Sequence, residues 1–244
     1  MSALAANLSR VQDRIAAAAR RAGRDLSGVT LIAVSKTHPP EIIQEAFELG
    51  IRHFGENRVE EAGQKIPAVW PAIGEAASSF VWHMLGHIQS RKADAVADLF
   101  TWVHSVDSLK LAERLNRFSG LRGKVLNVLL ECNVSGESTK QGFAGQGGVL
   151  SEAFRRDVEA ILGLPHLTLA GLMTMAPIVV DPEQARSTFR ALRSLRDKAA
   201  ASFPGAGWHH LSMGMTDDFE VAIEEGATMV RVGRAIFGER RSPT

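Results

Sequence analysis

Residues 29–36 read Val-Thr-Leu-Ile-Ala-Val-Ser-Lys, a short apolar run rich in β-branched side chains that stops on a lysine. Such a run, bounded by polar residues, is the pattern of a strand. Ile32, Val34 and Lys36 share one of its faces by the period of two. Outward from this unit the same pattern recurs at Ile51 to Gly55, Phe80 to Leu85, Trp102 to Val106, Lys124 to Asn133, Leu167 to Met173, His209 to Met213 and Met229 to Val232. Between the runs lie amphipathic stretches such as Pro40 to Leu49, Leu109 to Phe118, Ser151 to Leu162 and Pro182 to Phe203, the last with Phe189, Leu192, Leu195 and Ala199 on one face. Strand alternating with helix implies a parallel sheet with crossover helices. Eight strands with seven intervening helices close into a (β/α)8 barrel of the TIM type, preceded here by an extra helix over residues 1–24.

The 244 residues suit one such barrel. No Pro/Gly/Ser-rich linker divides the chain, and the glycine-dense stretch at 142–150, GFAGQGGVL, reads as a loop between a strand and a helix, so residues 1–244 are expected to form one domain. With 45% hydrophobic and 23% charged residues the composition is that of a globular protein, not of a disordered or fibrous one. Lys and Arg total 28 against 27 Asp and Glu, so no net field draws the chain onto nucleic acid or an anionic membrane, and any bound anion must be held locally. The apolar runs fall far short of the ~20 residues that span a bilayer. The N-terminal stretch carries Arg10, Asp13, Arg14 and Arg20 and lacks the apolar core of a secretion signal, which makes the cytoplasm the default location. A single cysteine, Cys132, excludes an internal disulfide and any multi-cysteine metal site and reads as a small buried hydrophobe.

In a barrel of this kind the active site lies at the C-terminal ends of the strands. The residues there are Lys36, Asn57, Gly86 with His87, His104 with Ser105 and Asp107, Ser135 to Lys140, Met173 with Thr174, Ser212 to Thr216, and Arg231 to Arg234. Lys36 stands out, because its alternation places an amine above the packed interior, where partial desolvation favours the neutral form that attacks an aldehyde. The plainer reading is a lysine that snorkels to solvent at a strand end. A second signal comes from LSMGMTDD and MVRVGRAIFG, which follow the last two strands. Loops in those positions are the usual phosphate site of such barrels, with Ser212 adding a hydroxyl and Gly233 an approachable N–H. The alternative there is turn glycines at 214 and 233 with Thr216 or Asp217 as a helix cap. A reactive lysine facing a phosphate pocket across a barrel mouth is the arrangement that pyridoxal 5′-phosphate requires.

The segments AVSKTHP, HFGENRVEE, WHMLGHIQSRK, VHSVDS, NVSGESTKQGF, GLMTMAP, LSMGMTDDFEVAIEEGATMVRVG and AIFG resemble the signature blocks of the pyridoxal phosphate homeostasis protein family, in family order, over residues 34 to 238. That family is similar to the N-terminal barrel of alanine racemase, the fold type III group. The resemblance implies Lys36 as the Schiff-base lysine, Arg231 facing the pyridine nitrogen, and Ser212 with the backbone at Gly233 and Arg234 holding the phosphate. Asn57, His83 and Met173 are further candidates beside the cofactor. Asn57 also suits a helix cap, and Lys140 and His87 are open between a role at the mouth and a solvated loop. His83 and His87 have HxxxH spacing, but Gly86 interrupts any helix between them and no zinc site is expected. Arg234 stands where the family usually has a threonine, which leaves its side-chain role open.

An arginine at the pyridine nitrogen never gives up its proton and so weakens the ring as an electron sink. Racemases with this arrangement pair the lysine with a tyrosine; this sequence has no tyrosine, and it ends six residues after AIFG, without a second β domain. The expectation is a monomeric carrier that holds the cofactor reversibly and passes it to apoenzymes that need it. A racemase-like enzyme is the alternative, and a phosphate-binding barrel enzyme without this cofactor is a third class.

Overall fold

The computed structural model describes residues 2–74, 79–137 and 141–239. Its centre is a ring of eight parallel strands: β1 (Thr30–Val34), β2 (His53–Glu56), β3 (Val81–Met84), β4 (Trp102–Val106), β5 (Leu126–Asn133), β7 (Leu167–Met173), β8 (His210–Ser212) and β9 (Met229–Val232). β1 pairs with both β2 and β9, and β4 pairs with β5, so the sheet closes on itself and has no free edge. This is the expected (β/α)8 architecture. A further two-residue strand, β6 (Phe143–Ala144), lies beside the C-terminal end of β5 within the stretch read as a loop, with Cys132 opposite Phe143. Two residues are too few to show a period, which is why the sequence does not reveal it.

Helices α2 (Pro40–Glu48), α3 (Val59–Ile73), α4 (Ala93–Leu99), α5 (Leu109–Leu121), α6 (Glu152–Leu162), α7 (Arg186–Ser202) and α8 (Phe219–Glu224) connect successive strands of the ring, and α9 (Arg234–Phe237) follows the last. Their starts follow capping chemistry: Pro40 is the first residue of α2, while Ser108 and Ser151 accept from the amides of Leu111 and Phe154. The helix expected over Pro182 to Phe203 begins with a 3-10 turn, Pro182–Ala185, before α7 takes over. The N-terminal helix α1 (Ala3–Arg21) buries Leu4, Leu8, Val11 and Ile15, a three-to-four spacing that makes one apolar stripe. It is fastened to the last elements by Asn7 Nδ2 donating to Ile236 O at 3.0 Å and by the 2.7 Å ion pair of Arg14 with Glu220.

Alternation along the strands sorts the apolar side chains into two sets. Ala33, Phe54, Met84, Val103, Val128 and Leu172 face the helices and form the large outer core. Ile32, Val34, Leu85, Leu129, Ala170, Met173 and Met229, with Trp102, fill the barrel. Gly171 is a point of close approach: with φ of +150° it passes β8 so tightly that a Cβ would lie 1.9 Å from the His210 carbonyl oxygen. Among the described residues no helix is long and apolar enough to cross a membrane.

Candidate functional site

The strand that opens the sequence argument ends in an elbow. After Val34 the chain turns, with Thr37 in the left-handed region at φ of +66°, where a β-branched residue is strained. The elbow is held from outside the barrel. Ser35 Oγ donates to Glu56 Oε1 at 2.7 Å, and Lys65 Nζ, from α3, donates to Ser35 O at 2.9 Å, Glu56 Oε1 at 2.8 Å and Glu61 Oε1 at 2.6 Å. The Thr37 amide also donates to Glu61. Lys65 and Glu56 are closed to solvent; burial pushes the Glu56 carboxyl up, against the pull of Lys65. These contacts fix the residues on either side of Lys36, which is itself half-buried at the barrel mouth.

β9 runs beside β1, Ala33 opposite Val232, so the residues after each strand are neighbours. Gly233 packs against the Val34 carbonyl, 3.1 Å from where a Cβ would stand. The helical bonds of α9 begin with Ile236 and Phe237 donating to Gly233 O, so the amides of Arg234 and Ala235 in its first turn point outward without helical acceptors. The Arg234 guanidinium is turned away from them: it is exposed and forms a two-pronged pair with Asp217, at 2.6 and 2.8 Å.

Inside the mouth stands Arg231, a buried guanidinium. It donates to Ser212 Oγ at 2.6 Å and to Thr174 O at 3.0 Å, and among the described residues makes no other hydrogen bond, so three of its five N–H donors are open to a ligand. Among the described residues no carboxylate pairs with it. Burial pulls its pKa down to about 10, with Asp218 and Glu131 acting in the opposite direction, and it stays charged at neutral pH. Ser212 is fully buried, with its hydroxyl shared between Arg231 and His104 Nδ1, 2.8 Å away. The Thr216 hydroxyl, in the turn beyond, is half-buried and makes no hydrogen bond among the described residues.

The other expected residues divide into two groups. Met173 is buried at the end of β7 opposite Ser212, and Asn57 is half-buried at the end of β2. The cap position of α3 is Arg58, with no side chain capping, so Asn57 does not serve as a helix cap. Its backbone instead crosses Gly86 so closely that a Cβ there would lie 2.1 Å from Asn57 O. His83, two residues before Leu85 on the inward side, is enclosed; its ring contacts are His53, His104 and Trp102, and it reaches Arg231 only through His104 and Ser212. His87 is half-exposed and lies 3.1 Å from Asp107. Lys140 lies outside the described residues. Cys132 is buried, which pushes its thiol up and leaves it unreactive.

Three features are absent from the sequence reading. One is the Lys65–Glu56–Glu61 clamp, whose members are scattered along β2 and α3. Another is His53, which the period of two puts inward with Gly55. The third is Glu131, a carboxyl inward of β5, pushed up by burial and by Asp107 and pulled the other way by Arg231 and His87. Its place in LNVLLECN, two residues after the inward Leu129, is the signal that would have found it. β5 is four strands from β1 in either direction around the ring, so Glu131 and Lys36 stand on opposite walls.

The family described as "Alanine racemase, N-terminal domain" matches residues 6–241. The chain is 42% identical over 234 residues to the pyridoxal phosphate homeostasis protein of Aquifex aeolicus, covering 96% of this chain and 97% of that one. Among solved structures, an unknown protein from Bifidobacterium adolescentis superposes with a TM-score of 0.86 at 38% identity, over 96% of this chain and 94% of the other. PipY of Synechococcus elongatus, with pyridoxal phosphate bound, gives 0.78 at 34% identity, over 93% of this chain and all of that one.

Proposed function

This chain belongs to the pyridoxal phosphate homeostasis protein family, and on that premise we propose that it binds pyridoxal 5′-phosphate through Lys36 and acts as a carrier of the cofactor, without turning over a substrate. The observation that carries the reading is Arg231: a buried guanidinium with three open donors, in the same mouth as a clamped lysine elbow. Such a group suits a neutral ring nitrogen, to which it donates without supplying a transferable proton.

Pyridoxal 5′-phosphate would supply an aldehyde at this mouth, and the Lys36 amine would be the group that holds it reversibly as a Schiff base. The chain's own residues do the rest. The Ser35 and Thr37 clamps hold the Lys36 backbone, Arg231 sets the ring's orientation, and Asn57 and Met173 flank it. The phosphate is assigned to the first-turn amides of Arg234 and Ala235 with the Gly233 backbone, and Ser212 to holding Arg231 beneath them. Release to cytoplasmic apoenzymes completes the carrier role, and the carrier is proposed to act as a monomer.

Adding pyridoxal phosphate to the purified protein, reducing with borohydride and mapping the labelled peptide tests this reading. Label on Lys36, and none after Lys36→Ala, is the expected result. A protein that stays colourless, or label placed mainly on Lys140, overturns it. One observation favours a racemase-like enzyme instead: Glu131 is a buried carboxyl, pushed up by burial, on the barrel wall opposite Lys36. Deuterium entering the α-position of an amino acid at about 1 to 10³ per second, the range of ordinary enzymes, would replace the carrier reading with that one.

A further inference from the structure

Five side chains form one unbroken line of hydrogen bonds through the barrel. His53 Nδ1 lies 3.0 Å from His83 Nε2, His83 Nδ1 2.9 Å from His104 Nε2, and His104 Nδ1 2.8 Å from Ser212 Oγ, which accepts from Arg231 Nη1 at 2.6 Å. The line starts at half-buried His53, at the first residue of β2, and crosses β3 and β4 to reach β8 and β9 on the other side of the ring.

The chemistry of the end fixes the direction of the whole line. Arginine only donates, so Ser212 Oγ accepts from it. If His104 carried its proton on Nδ1 it would also donate to Ser212 Oγ, and the buried hydroxyl hydrogen would find no acceptor among the described residues, at the cost of desolvating it unpaired. If Ser212 instead donates to His104 Nδ1, every contact is made: His104 donates from Nε2 to His83 Nδ1, and His83 from Nε2 to His53 Nδ1. All three imidazoles are then neutral with the proton on Nε2. A cationic His83 would set its Nδ1–H against the Nε2–H of His104, and a cationic His104 would leave the Ser212 hydroxyl hydrogen without an acceptor; burial independently holds both rings well below the usual histidine range.

We propose that His53, His83 and His104 are positioning residues for Arg231, keeping Ser212 an acceptor of Nη1 so that the guanidinium presents its remaining donors to the ligand in one orientation. The naming of that ligand rests on the pyridoxal phosphate reading; the line itself does not. Other groups near it are Trp102, stacked at 24° on His83, and His210, which meets the Trp102 ring edge-on at 5.2 Å and lies 3.3 Å from Thr228 Oγ1.

The test has two arms. Side-chain 15N NMR of the ligand-free protein should show His53, His83 and His104 with the proton on Nε2; a proton on Nδ1 of His104 overturns the proposal. In the second arm His83→Leu cuts the line two hydrogen bonds short of Ser212. Loss of one supporting hydrogen bond corresponds to binding weakened about threefold to tenfold, with an altered absorption spectrum of the bound cofactor, and His83→Gln, which can both donate and accept, should recover part of both. A folded His83→Leu with unchanged affinity and spectrum overturns the proposal. Should that variant not fold, His53→Leu, at the half-buried end, is read by the same NMR signals: the His104 resonances should shift, and constancy overturns the line as a connected unit. Failure of the wild type to bind pyridoxal phosphate would remove the functional reading while leaving the tautomer result standing.

Discussion

Lys65 and Glu56 form an ion pair, 2.8 Å apart and shut off from solvent, against the outer side of the turn that presents Lys36. A lysine in one helix thus sets the position of a lysine at the end of a neighbouring strand. Glu56 directly precedes Asn57 at the end of β2 while Lys65 lies within α3, and both are polar residues where the outer core is otherwise apolar.

Lys65→Met should cost about 3 to 5 kcal/mol, since it leaves the Glu56 carboxyl buried without its counter-charge. Urea denaturation would measure the loss. The double variant Lys65→Met with Glu56→Gln should recover a large part of it, and equal losses for the single and double variants would show that packing, not charge, is what Lys65 supplies.

Ser212→Ala should weaken pyridoxal phosphate and unphosphorylated pyridoxal alike, by about 1 kcal/mol, because the buried hydroxyl is engaged by Arg231 and His104. From the sequence alone a penalty confined to the phosphorylated ligand is expected. Titrations with both ligands separate the two, and a selective loss would return Ser212 to the phosphate.

Arg234→Thr should tighten the phosphorylated ligand by about 1 kcal/mol, by placing a hydroxyl beside the open amides of α9. Removing the exposed Arg234–Asp217 pair should change stability by less than about 1 kcal/mol. Unchanged affinity would mean that only the backbone there meets phosphate.

Glu131→Gln should raise the melting temperature at pH 8 more than at pH 4. The Glu131 carboxyl is raised in the folded protein, so its contribution is most favourable below the unfolded value and is lost as pH rises through the folded one. An uncharged amide escapes that loss. Equal melting shifts at both pH values would place Glu131 in effective contact with water.

The ring of strands was legible because apolar runs of four to eight residues and helical stripes such as Phe189, Leu192 and Leu195 carry their periods openly. That Lys36, Arg231 and Gly233 stand at the barrel mouth was legible because each lies at or just past the C-terminal end of a strand. What the sequence withheld is pairing. Nothing in the string shows that Ser212 turns inward to Arg231 rather than outward to a phosphate, or that His53, His83 and His104, spread over fifty residues, meet ring to ring. Those depend on which strands are neighbours and at what stagger, facts that exist only after the barrel has closed. Lys65 was hidden for the same reason, as its partners lie on another element.

The line of imidazoles also bears on how this interior can change over generations. Barrel interiors are usually filled by layers of Val, Ile and Leu, where volume-conserving exchanges are tolerated one at a time. Here His104 exchanged for leucine strands the buried Ser212 hydroxyl and the buried His83 acceptor, and His83 so exchanged strands the buried His104 donor and the His53 acceptor. The intermediate is worse than either endpoint, so an aliphatic filling is separated from the present one by simultaneous replacements. The three rings are inherited as a block, and substitutions at one should be found to matter according to what occupies the other two.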